Sequence, residues 1–470
     1  MSQRFTLLFL ALAIAAPVGA GELDPTIARM APDAVVRVLI TGHAQTISEA
    51  DVRELLGRER VAAGNERSAV RKLEAQRSLA GVMAALTARA AGDVELLWTV
   101  NAVTAEVPAR VAIELAARED VREVLADRQI VQLTDERRAG PRIPHTWGPQ
   151  RVGAPQVWAS GFFGQGVLIG LIDTGVDGAH KDLAGKVVRF RNFTKISAPD
   201  ETPFDDEGHG THCAGIMAGG DKSGAAIGIA PKLRIIAAKG LDKNGAGGMV
   251  GLIRSLNWMA DPDGSSATHD QPTAVSCSWG ATLNLPVISR IFWMSISALR
   301  DANVLPIVAS GNEGVGKLSV PGSYPHSFAV GATEESDHVA DFTSRGTVKW
   351  GSTTYIKPNI SAPGDFIYSS IPGDKYDYMS GTSMATPAVA GVAALLKSAN
   401  RNLNATQIEA LICRTAKDLG TPGEDTDFGH GLINAEAAAL AATHGGAPEL
   451  LSPASFLESL APAWERPVTE

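Results

Sequence analysis

The sequence predicts an α/β protein with a mostly parallel sheet and helices on both faces, preceded by a small α+β domain. Of its 48 glycines, 41 fall between residues 140 and 446 and only six between 21 and 139. The earlier part is instead charged, with 19 acidic and 16 basic residues. In the glycine-rich part, short β-branched runs alternate with helical segments, which is typical of a parallel sheet buried on both faces.

Composition excludes several classes of protein. Hydrophobic residues make up 45% of the 470 residues and charged residues 20%, which is too apolar for a disordered chain. The 51 acidic and 42 basic residues give a net charge of −9, so we expect no nucleic-acid partner. Three cysteines are too few for a disulfide scaffold, and no segment after the N-terminal one is long and apolar enough to span a membrane.

Residues 1–20 have the three parts of a secretory signal peptide. Arg4 precedes an apolar run at 5–16, and Pro17 is followed by Val18 and Ala20, which suit a signal peptidase. The apolar run is too short to cross a bilayer, which needs ~20 residues. We therefore expect a secreted protein, either periplasmic or extracellular.

We predict that residues 21–139 form the small α+β domain. Apolar residues at helical spacing predict a helix at 66–89, and Pro108 begins a second helix that ends near residue 117. Strands are predicted between and around these helices, at 35–40, 94–107 and 121–133. The helices then cover one face of a sheet, which makes a compact domain.

We predict that residues 140–444 form the larger domain. The segment 445–470 is rich in Pro, Ala and Glu, so we predict that it is a tail. The clearest strands are at 167–172, 233–239, 273–276, 304–309 and 327–330. Helices are predicted at 210–218, 249–260, 287–301, 383–399 and 405–415. In such sheets, sites form at the carboxyl ends of the strands, where the loops gather.

Three of these loops carry an aspartate, a histidine and a serine in chain order: Asp173, His209 and Ser383. Each alone has a simpler explanation, such as a turn residue or a helix N-cap. Together they supply a nucleophile, a base that takes its proton and a carboxylate that orients the base. Asn312, in a loop after another strand, adds an amide that can donate to an oxyanion.

These loops resemble those of the subtilisin-like serine peptidases. The His209 segment with its cysteine is especially similar to the proteinase K branch, and segments 340–346 and 357–364 are also family-like. The resemblance covers roughly residues 147–442 and implies a serine endopeptidase that needs no cofactor for its chemistry. It implies Asp173 as orienter, His209 as general base and then acid, Ser383 as nucleophile and Asn312 as oxyanion donor.

The resemblance also gives residues 21–139 a role. The predicted strands at 94–107 and 121–133 resemble those of the subtilisin-type propeptide, an intramolecular chaperone and inhibitor whose C-terminal segment lies in the active cleft. A glycine-rich parallel sheet folds slowly because its contacts are non-local, so such help is physically reasonable. We predict a self-processing zymogen that cuts itself between about residues 133 and 140.

Two segments resemble the edges between which a substrate peptide adds as an extended strand. They contain Ser278, Trp279 and Gly280 on one side, and Gly245 and Gly247 on the other. Main-chain pairing predicts broad specificity for protein and peptide substrates. Trp279 is larger than the residue usual in the family, so it either alters the wall of the primary pocket or belongs to the core.

The cysteines and metal sites are less determined. Cys213 lies one helical turn after His209 and is either an inert buried thiol or a target for mercurials beneath the imidazole. Cys277 and Cys413 can pair or stay free. A structural calcium is common in the family, and Asp182 matches a ligand position there, but Lys222 in the partner loop is unfavourable for calcium. We assign no metal residue.

The sequence thus predicts a secreted, monomeric serine endopeptidase whose own propeptide is its inhibitor. Two alternatives remain open. A pseudopeptidase would bind peptides in the same cleft without cutting, although all four catalytic positions are intact. A transpeptidase or cyclase would pass the acyl-enzyme to an amine instead of water, and the sequence does not separate transfer from hydrolysis.

Overall fold

A computed structural model describes residues 21–43, 51, 54, 61–62, 64–138, 144–195, 201–281 and 286–443. The expected signal peptide, at 1–20, and the expected tail, at 445–470, lie outside these residues. The chain divides into two compact units, one up to Asp127 and one from Arg128 onward. Residues 128–138, which the composition groups with the charged N-terminal part, therefore pack with the second unit.

The first unit contains a five-stranded sheet in the order β1-β5-β2-β4-β3, in which β1 and β5 are parallel and the other pairs antiparallel. Its strands are β1 (Glu22–Leu23), β2 (Val35–Gly42), β3 (Gly92–Leu97), β4 (Ala102–Pro108) and β5 (Val121–Ala126). Its helices are α1 (Pro25–Ala28), α2 (Glu66–Ser78), α3 (Ala80–Ala88) and α4 (Ala109–Ala116).

Three predicted elements of this unit are wrong in detail. The helix predicted at 66–89 breaks at Leu79, whose backbone is not helical. The strand predicted at 94–107 is a hairpin of β3 and β4, turned by a short 3₁₀ segment and by Asn101 at φ +48°. The strand predicted at 121–133 ends at Ala126, and a separate strand follows it. Periodicity alone does not show these breaks, because both arms of a hairpin alternate in the same way.

The second unit is built on a seven-stranded parallel sheet in the order β17-β14-β13-β12-β8-β10-β9. These strands are β8 (Leu168–Asp173), β9 (Val187–Asn192), β10 (Arg234–Lys239), β12 (Ala274–Cys277), β13 (Leu305–Ala309), β14 (Phe328–Thr333) and β17 (Ile360–Pro363). The other strands of the unit are β6 (Gln129–Gln132), β7 (Glu136–Arg138), β11 (Ala246–Gly248), β15 (Gly346–Trp350), β16 (Thr353–Lys357), β18 (Ile367–Ile371) and β19 (Lys375–Ser380).

Helices cover both faces of this sheet, as predicted. They are α5 (Trp147–Arg151), α6 (Ala154–Ala159), α7 (His209–Ala218), α8 (Met249–Ala260), α9 (Pro286–Asp301), α10 (Thr382–Ala399), α11 (Ala405–Arg414) and α12 (Ala435–Thr443). Alternate residues of β8 show the two faces. Ile169 and Leu171 join the core that contains α7 and α10, whereas a Cβ on Gly170 would lie 2.8 Å from Met259 Sδ of α8.

The parallel order brings the carboxyl ends of the central strands to one edge. β8 ends at Asp173, β12 at Cys277 and β13 at Ala309, and α7 and α10 begin at the same edge. Loops that carry polar residues therefore meet there. Among the residues that the structure describes, no helix is both long enough and apolar enough to cross a bilayer.

Candidate active site

Asp173 and His209 form a buried pair at this edge. His209 Nδ1 lies 2.7 Å from Asp173 Oδ1, and the two side chains are 3% and 0% exposed. The backbone N–H of Thr174 donates to the same carboxylate oxygen at 2.7 Å. Burial alone would lower the pKa of His209, but the Asp173 carboxylate and a hydrogen bond that the imidazole donates to a second carboxylate raise that pKa well above its ordinary value.

The loop before His209 is held by Asp205, a residue that the sequence analysis did not single out. Asp205 Oδ1 accepts hydrogen bonds from the N–H of Gly208 at 2.8 Å and from the Thr174 hydroxyl at 3.0 Å. Gly208 has φ +116°, a backbone conformation that favours glycine. Asp205 therefore links the end of β8 to the start of α7 and sets where the imidazole stands. The acidic run directly before His209 was the available signal.

Ser383 lies in the first turn of α10 and is 3% exposed. Its hydroxyl donates to Asp135 Oδ2 at 2.9 Å and lies 3.1 Å from the Ser278 carbonyl oxygen. Across the described part of the chain, no hydrogen bond joins Ser383 Oγ to His209. The three predicted residues thus reach one site, but both the hydroxyl and the imidazole contact an aspartate carboxylate oxygen and not each other.

Asp135 is a second site residue that the sequence did not reveal. Its side chain is 6% exposed, and Oδ2 lies 3.1 Å from His209 Nε2 as well as accepting from Ser383. Its other oxygen accepts from Asn312 Nδ2 at 2.9 Å. The predicted processing range, 133–140, contains this residue, but nothing in its local sequence indicates a contact with Ser383, which is 248 positions away.

The segment around Asp135 follows the cleft as an extended chain. Before Asp135, β6 pairs antiparallel with β11, and Val131 lies opposite Gly247. After Asp135, β7 pairs antiparallel with β19. The Arg137 guanidinium also donates to the Glu207 carbonyl and carboxylate oxygens, at 2.7 and 3.0 Å. A strand that adds to two edges in this way is the geometry of β-augmentation.

The five predicted substrate-binding residues lie along this segment. Gly245 accepts a hydrogen bond from the N–H of Leu133 at 3.0 Å, and its φ of +70° favours glycine. Gly247 belongs to β11, next to Gly245. Residues 278–280 line a cavity of about 220 Å³ together with Ile130 and residues 132–135, and this cavity reaches Asn312 and Ser383.

Trp279 is both a core residue and part of the cavity wall, which are the two roles that the sequence left open. It is 3% exposed, and its indole N–H donates to the Ile172 carbonyl at 3.0 Å, as a core tryptophan does. It also contacts Phe292 edge to face, with 6.3 Å between the ring centroids, and it lines the cavity. Ser278 on its N-terminal side donates its hydroxyl to the Ser383 carbonyl at 2.9 Å.

Cys213 lies beneath the imidazole, with Sγ 3.9 Å from His209 Nδ1 and 4.0 Å from Nε2. Burial raises the pKa of this thiol to about 11, so it is protonated at neutral pH. Asp173, His209 and Cys213 place three ligand atoms within 4.8 Å of one another, but the chemistry above uses these groups without a metal. Cys277 and Cys413 are both free, so they form no disulfide.

The residues around Asp182 do not fit a calcium ion. Asp182 Oδ1 accepts from the N–H of Lys222 at 2.9 Å, and Oδ2 accepts from the Tyr376 hydroxyl at 2.5 Å. The Lys186 ammonium donates to the nearby Ala218 carbonyl. Burial lowers the pKa of Lys186 to about 8, although Asp182 and Asp221 act in the opposite direction. A lysine ammonium thus supplies positive charge where calcium would need oxygen ligands.

Comparison with known proteins agrees with this geometry. The model of the subtilase family, Peptidase S8, matches residues 164–431. Thermitase of Thermoactinomyces vulgaris is 36% identical over 62% of this chain and 94% of its own length. Alkaline elastase YaB of Bacillus sp. (strain YaB) is 33% identical over 68% of this chain and 77% of its own length.

Bacillopeptidase F of Bacillus subtilis (strain 168) is 35% identical over 64% of this chain, but the match spans only 22% of that longer protein. The family match covers more than half of the present chain and includes the segments of Asp173, His209 and Asn312 together with Ser383. The fold, with its large parallel sheet and flanking helices, is consistent with the family. The chain therefore belongs to the subtilase family, and it is a serine endopeptidase of the subtilisin-like class.

Proposed function

We propose that this protein is a secreted serine endopeptidase made as a self-processing zymogen. Ser383 attacks the carbonyl carbon of a peptide bond, and His209 takes the hydroxyl proton and then gives it to the leaving amine. Asp173 holds the imidazole in the required orientation. Asn312 and the backbone N–H of Ser383 stabilise the oxyanion of the tetrahedral intermediate, and water releases the acyl-enzyme.

One observation carries the proposal. The groups required for acyl transfer converge on a single carboxylate, that of Asp135, which lies 2.9 Å from Ser383 Oγ, 2.9 Å from Asn312 Nδ2 and 3.1 Å from His209 Nε2. A nucleophile, an oxyanion donor and a base therefore face the same small volume. A reacting carbonyl in that volume would be within reach of all three.

The zymogen proposal rests on the extended segment 128–138. It pairs with the edge β11 before Asp135 and with the edge β19 after Asp135, so a substrate cannot use those edges at the same time. We propose that residues 21–139 are the propeptide, 140–444 the catalytic domain and 445–470 a tail. Self-cleavage between about residues 133 and 140 would free the cleft.

Export is proposed from the N-terminal sequence, whose basic residue, apolar run and small residues fit a signal peptide. We propose that the working enzyme is a monomer that acts on protein and peptide substrates. Substrate would replace 128–138 as an added strand, and main-chain pairing supports broad specificity. No cofactor is needed for the chemistry.

The decisive experiment compares the wild-type chain with Ser383→Ala. Wild-type protein should lose its N-terminal part, with a new N-terminus near 133–140 on sequencing, then degrade casein and react with a fluorophosphonate. Ser383→Ala should remain uncut, fail to react and leave casein intact. Cleavage of Ser383→Ala at the same bond would refute self-processing. If verified processed protein neither labels nor cuts casein, a pseudopeptidase is the better description, and ligated products would indicate a transferase.

A further inference from the structure

The contacts of Asp135 go beyond those of a chain that simply passes through the cleft. A buried carboxylate is costly unless it is well bonded, and this one has a hydroxyl, an amide and an imidazole as neighbours. A Cβ added to Gly381 would lie 1.8 Å from Asp135 Oδ1. Any larger residue at position 381 would therefore collide with the Asp135 carboxylate, which packs against the glycine backbone. The side chain, and not only the backbone strand, is therefore fitted to the site.

The proton positions around His209 follow from this geometry. Nδ1 faces an Asp173 oxygen at 2.7 Å, and Nε2 faces an Asp135 oxygen at 3.1 Å. Ionised carboxylates only accept hydrogen bonds, so both ring nitrogens must carry protons to satisfy both contacts. The imidazole is then a cation and has no lone pair with which to accept the proton of Ser383.

The hydroxyl of Ser383 is equally occupied. It donates to Asp135 Oδ2 and lies near the Ser278 carbonyl oxygen. Its proton is therefore not directed at the imidazole, which is the group that would have to accept it. Meanwhile Asn312 Nδ2 donates to Asp135 Oδ1, so the amide proposed for the oxyanion already has a negative partner. One carboxylate thus engages nucleophile, base and oxyanion donor at once.

We propose that Asp135 is a built-in carboxylate ligand of the catalytic centre, which engages the Ser383 hydroxyl and the protonated His209 imidazole, so that self-cleavage has to wait until this side chain leaves the site. This inference rests on the function proposed above. It assigns latency to one side chain as well as to occupation of the cleft by a strand. It also predicts that the site takes a carboxylate in trans, for example on a peptide with aspartate at the same position.

The test follows precursor and processed chains separately, since they differ in mass on a gel. Wild-type, Asp135→Ala and Asp135→Asn full chains are treated with a fluorophosphonate probe immediately after purification. Glu119→Gln, which removes an exposed carboxylate of the first unit, is the charge-matched control. We expect the Asp135→Ala precursor to label at Ser383 about tenfold faster than the wild-type precursor and to process sooner. Asp135→Asn should behave similarly, and Glu119→Gln like wild type.

Equal labelling of wild-type and Asp135→Ala precursors would overturn the role of Asp135 and leave the peptidase intact. Slower processing of both Asp135 variants would also overturn it, because the side chain would then assist cleavage. If processed wild-type protein does not label, the proposed function itself has failed. These results are distinguishable on one gel.

A second measurement does not require the variants to fold. A synthetic peptide of residues 128–138 is tested as an inhibitor of processed wild-type protein, with Asp, Asn or Ala at position 135. We expect the Asp peptide to inhibit about tenfold more strongly than the other two. Equal inhibition by all three peptides would contradict the proposal.

Discussion

Asn312 Oδ1 accepts a hydrogen bond from the backbone N–H of Thr382 at 2.9 Å, directly before Ser383 in the chain. The Thr382 hydroxyl also donates to this oxygen at 2.9 Å. These two donors keep the amide oxygen turned toward the start of α10. The amide nitrogen consequently faces the cleft, where an oxyanion would form.

Asn312→Ala should therefore reduce kcat by about 10²–10³-fold and leave KM nearly unchanged, because the lost donor acts mainly in the transition state. That size is the one measured for the loss of an oxyanion amide in subtilisin and is taken over from there. Steady-state kinetics of the processed enzyme on a chromogenic peptide measure both constants. Thr382→Val is the matched control, since it keeps the backbone donor and should lose only about 2–10-fold. An equal loss in the two variants would place the effect in the loop and not in the oxyanion.

The sequence sufficed to predict the residues at the strand ends, because their geometry follows from local order. Asp173 ends a strand and His209 starts a helix, and a parallel sheet brings such positions to one edge. Asp135 could not be predicted in this way. Its position depends on two antiparallel pairings, β6 with β11 and β7 with β19, whose partners are far away in sequence.

The fold shows the same difference between features that follow from the local sequence and features that do not. The central strands of the second unit lie where β-branched runs predict them, whereas the hairpin at 92–108 depends on Asn101 in a left-handed conformation. A single residue with positive φ leaves little trace in periodicity. The surroundings of Asp182 are a second example of a feature that does not follow from the local sequence. Only the fold shows that the Lys186 ammonium, in addition to Lys222 in the sequence, lies where a calcium ion would need oxygen ligands.

The pKa of His209 should differ between the uncut and the processed chain. Burial lowers this pKa, but Asp173 and Asp135 outweigh it, so the uncut chain should titrate well above about 6.5. The other groups that face the pair are neutral or distant from the ring: Cys213 is a protonated thiol, and burial lowers the pKa of His212 to about 3. Burial raises the pKa of Asp173, and the Asp205 carboxylate acts in the same direction on that group.

NMR titration of histidine in the uncut Ser383→Ala chain measures this pKa, with the signal assigned by its loss in His209→Gln. Adding Asp135→Asn should lower the pKa, because a neutral amide no longer stabilises the imidazolium. Catalysis by the neutral imidazole should accordingly begin at a lower pH in processed enzyme than in uncut chain. An unchanged pKa in the Asp135→Asn chain would mean that the carboxylate does not act on the imidazole.

Mercury compounds should inactivate the processed enzyme through Cys213. Its sulfur is in van der Waals contact with the His209 imidazole, at 3.9 Å, and lies 3.5 Å from the Ser383 carbonyl oxygen. A mercury atom bound to this sulfur would therefore displace the imidazole and the start of α10. Cys213→Ala should keep substantial activity and resist the reagent. Residual activity after timed exposure to a mercurial measures this, with Cys413→Ser as a control that should remain sensitive. A Cys213→Ala enzyme as sensitive as wild type would point to another thiol.

Calcium should not stabilise the region around Asp182. The Lys186 ammonium donates to the Ala218 carbonyl, so Lys186→Met should lower Tm by a few degrees through loss of a charged hydrogen bond. Thermal unfolding of the uncut Ser383→Ala chain, with EDTA or with calcium, tests this. We expect no shift between the two conditions that depends on Asp182. If calcium raised Tm and Asp182→Asn abolished that rise, an ion would bind there after all.

The ion pair of Arg137 with Glu207 should add modestly to binding of segment 128–138. Both side chains are partly exposed, at 48% and 21%, and such pairs contribute about 0.2–1 kcal/mol. Arg137→Ala in the inhibitory 128–138 peptide should therefore weaken inhibition by about 1.4–5-fold. The effect should shrink in high salt, which screens exposed charges.

Glu207→Gln enzyme completes a double-mutant cycle for this pair. Glutamine keeps an acceptor for the N–H of His209, which Glu207 Oε2 binds at 2.7 Å, while removing the charge that faces Arg137. In that enzyme the wild-type and Arg137→Ala peptides should inhibit about equally. If Arg137→Ala cost the same affinity in both enzymes, the arginine would act through the Glu207 carbonyl, to which it also donates at 2.7 Å, and not through the carboxylate.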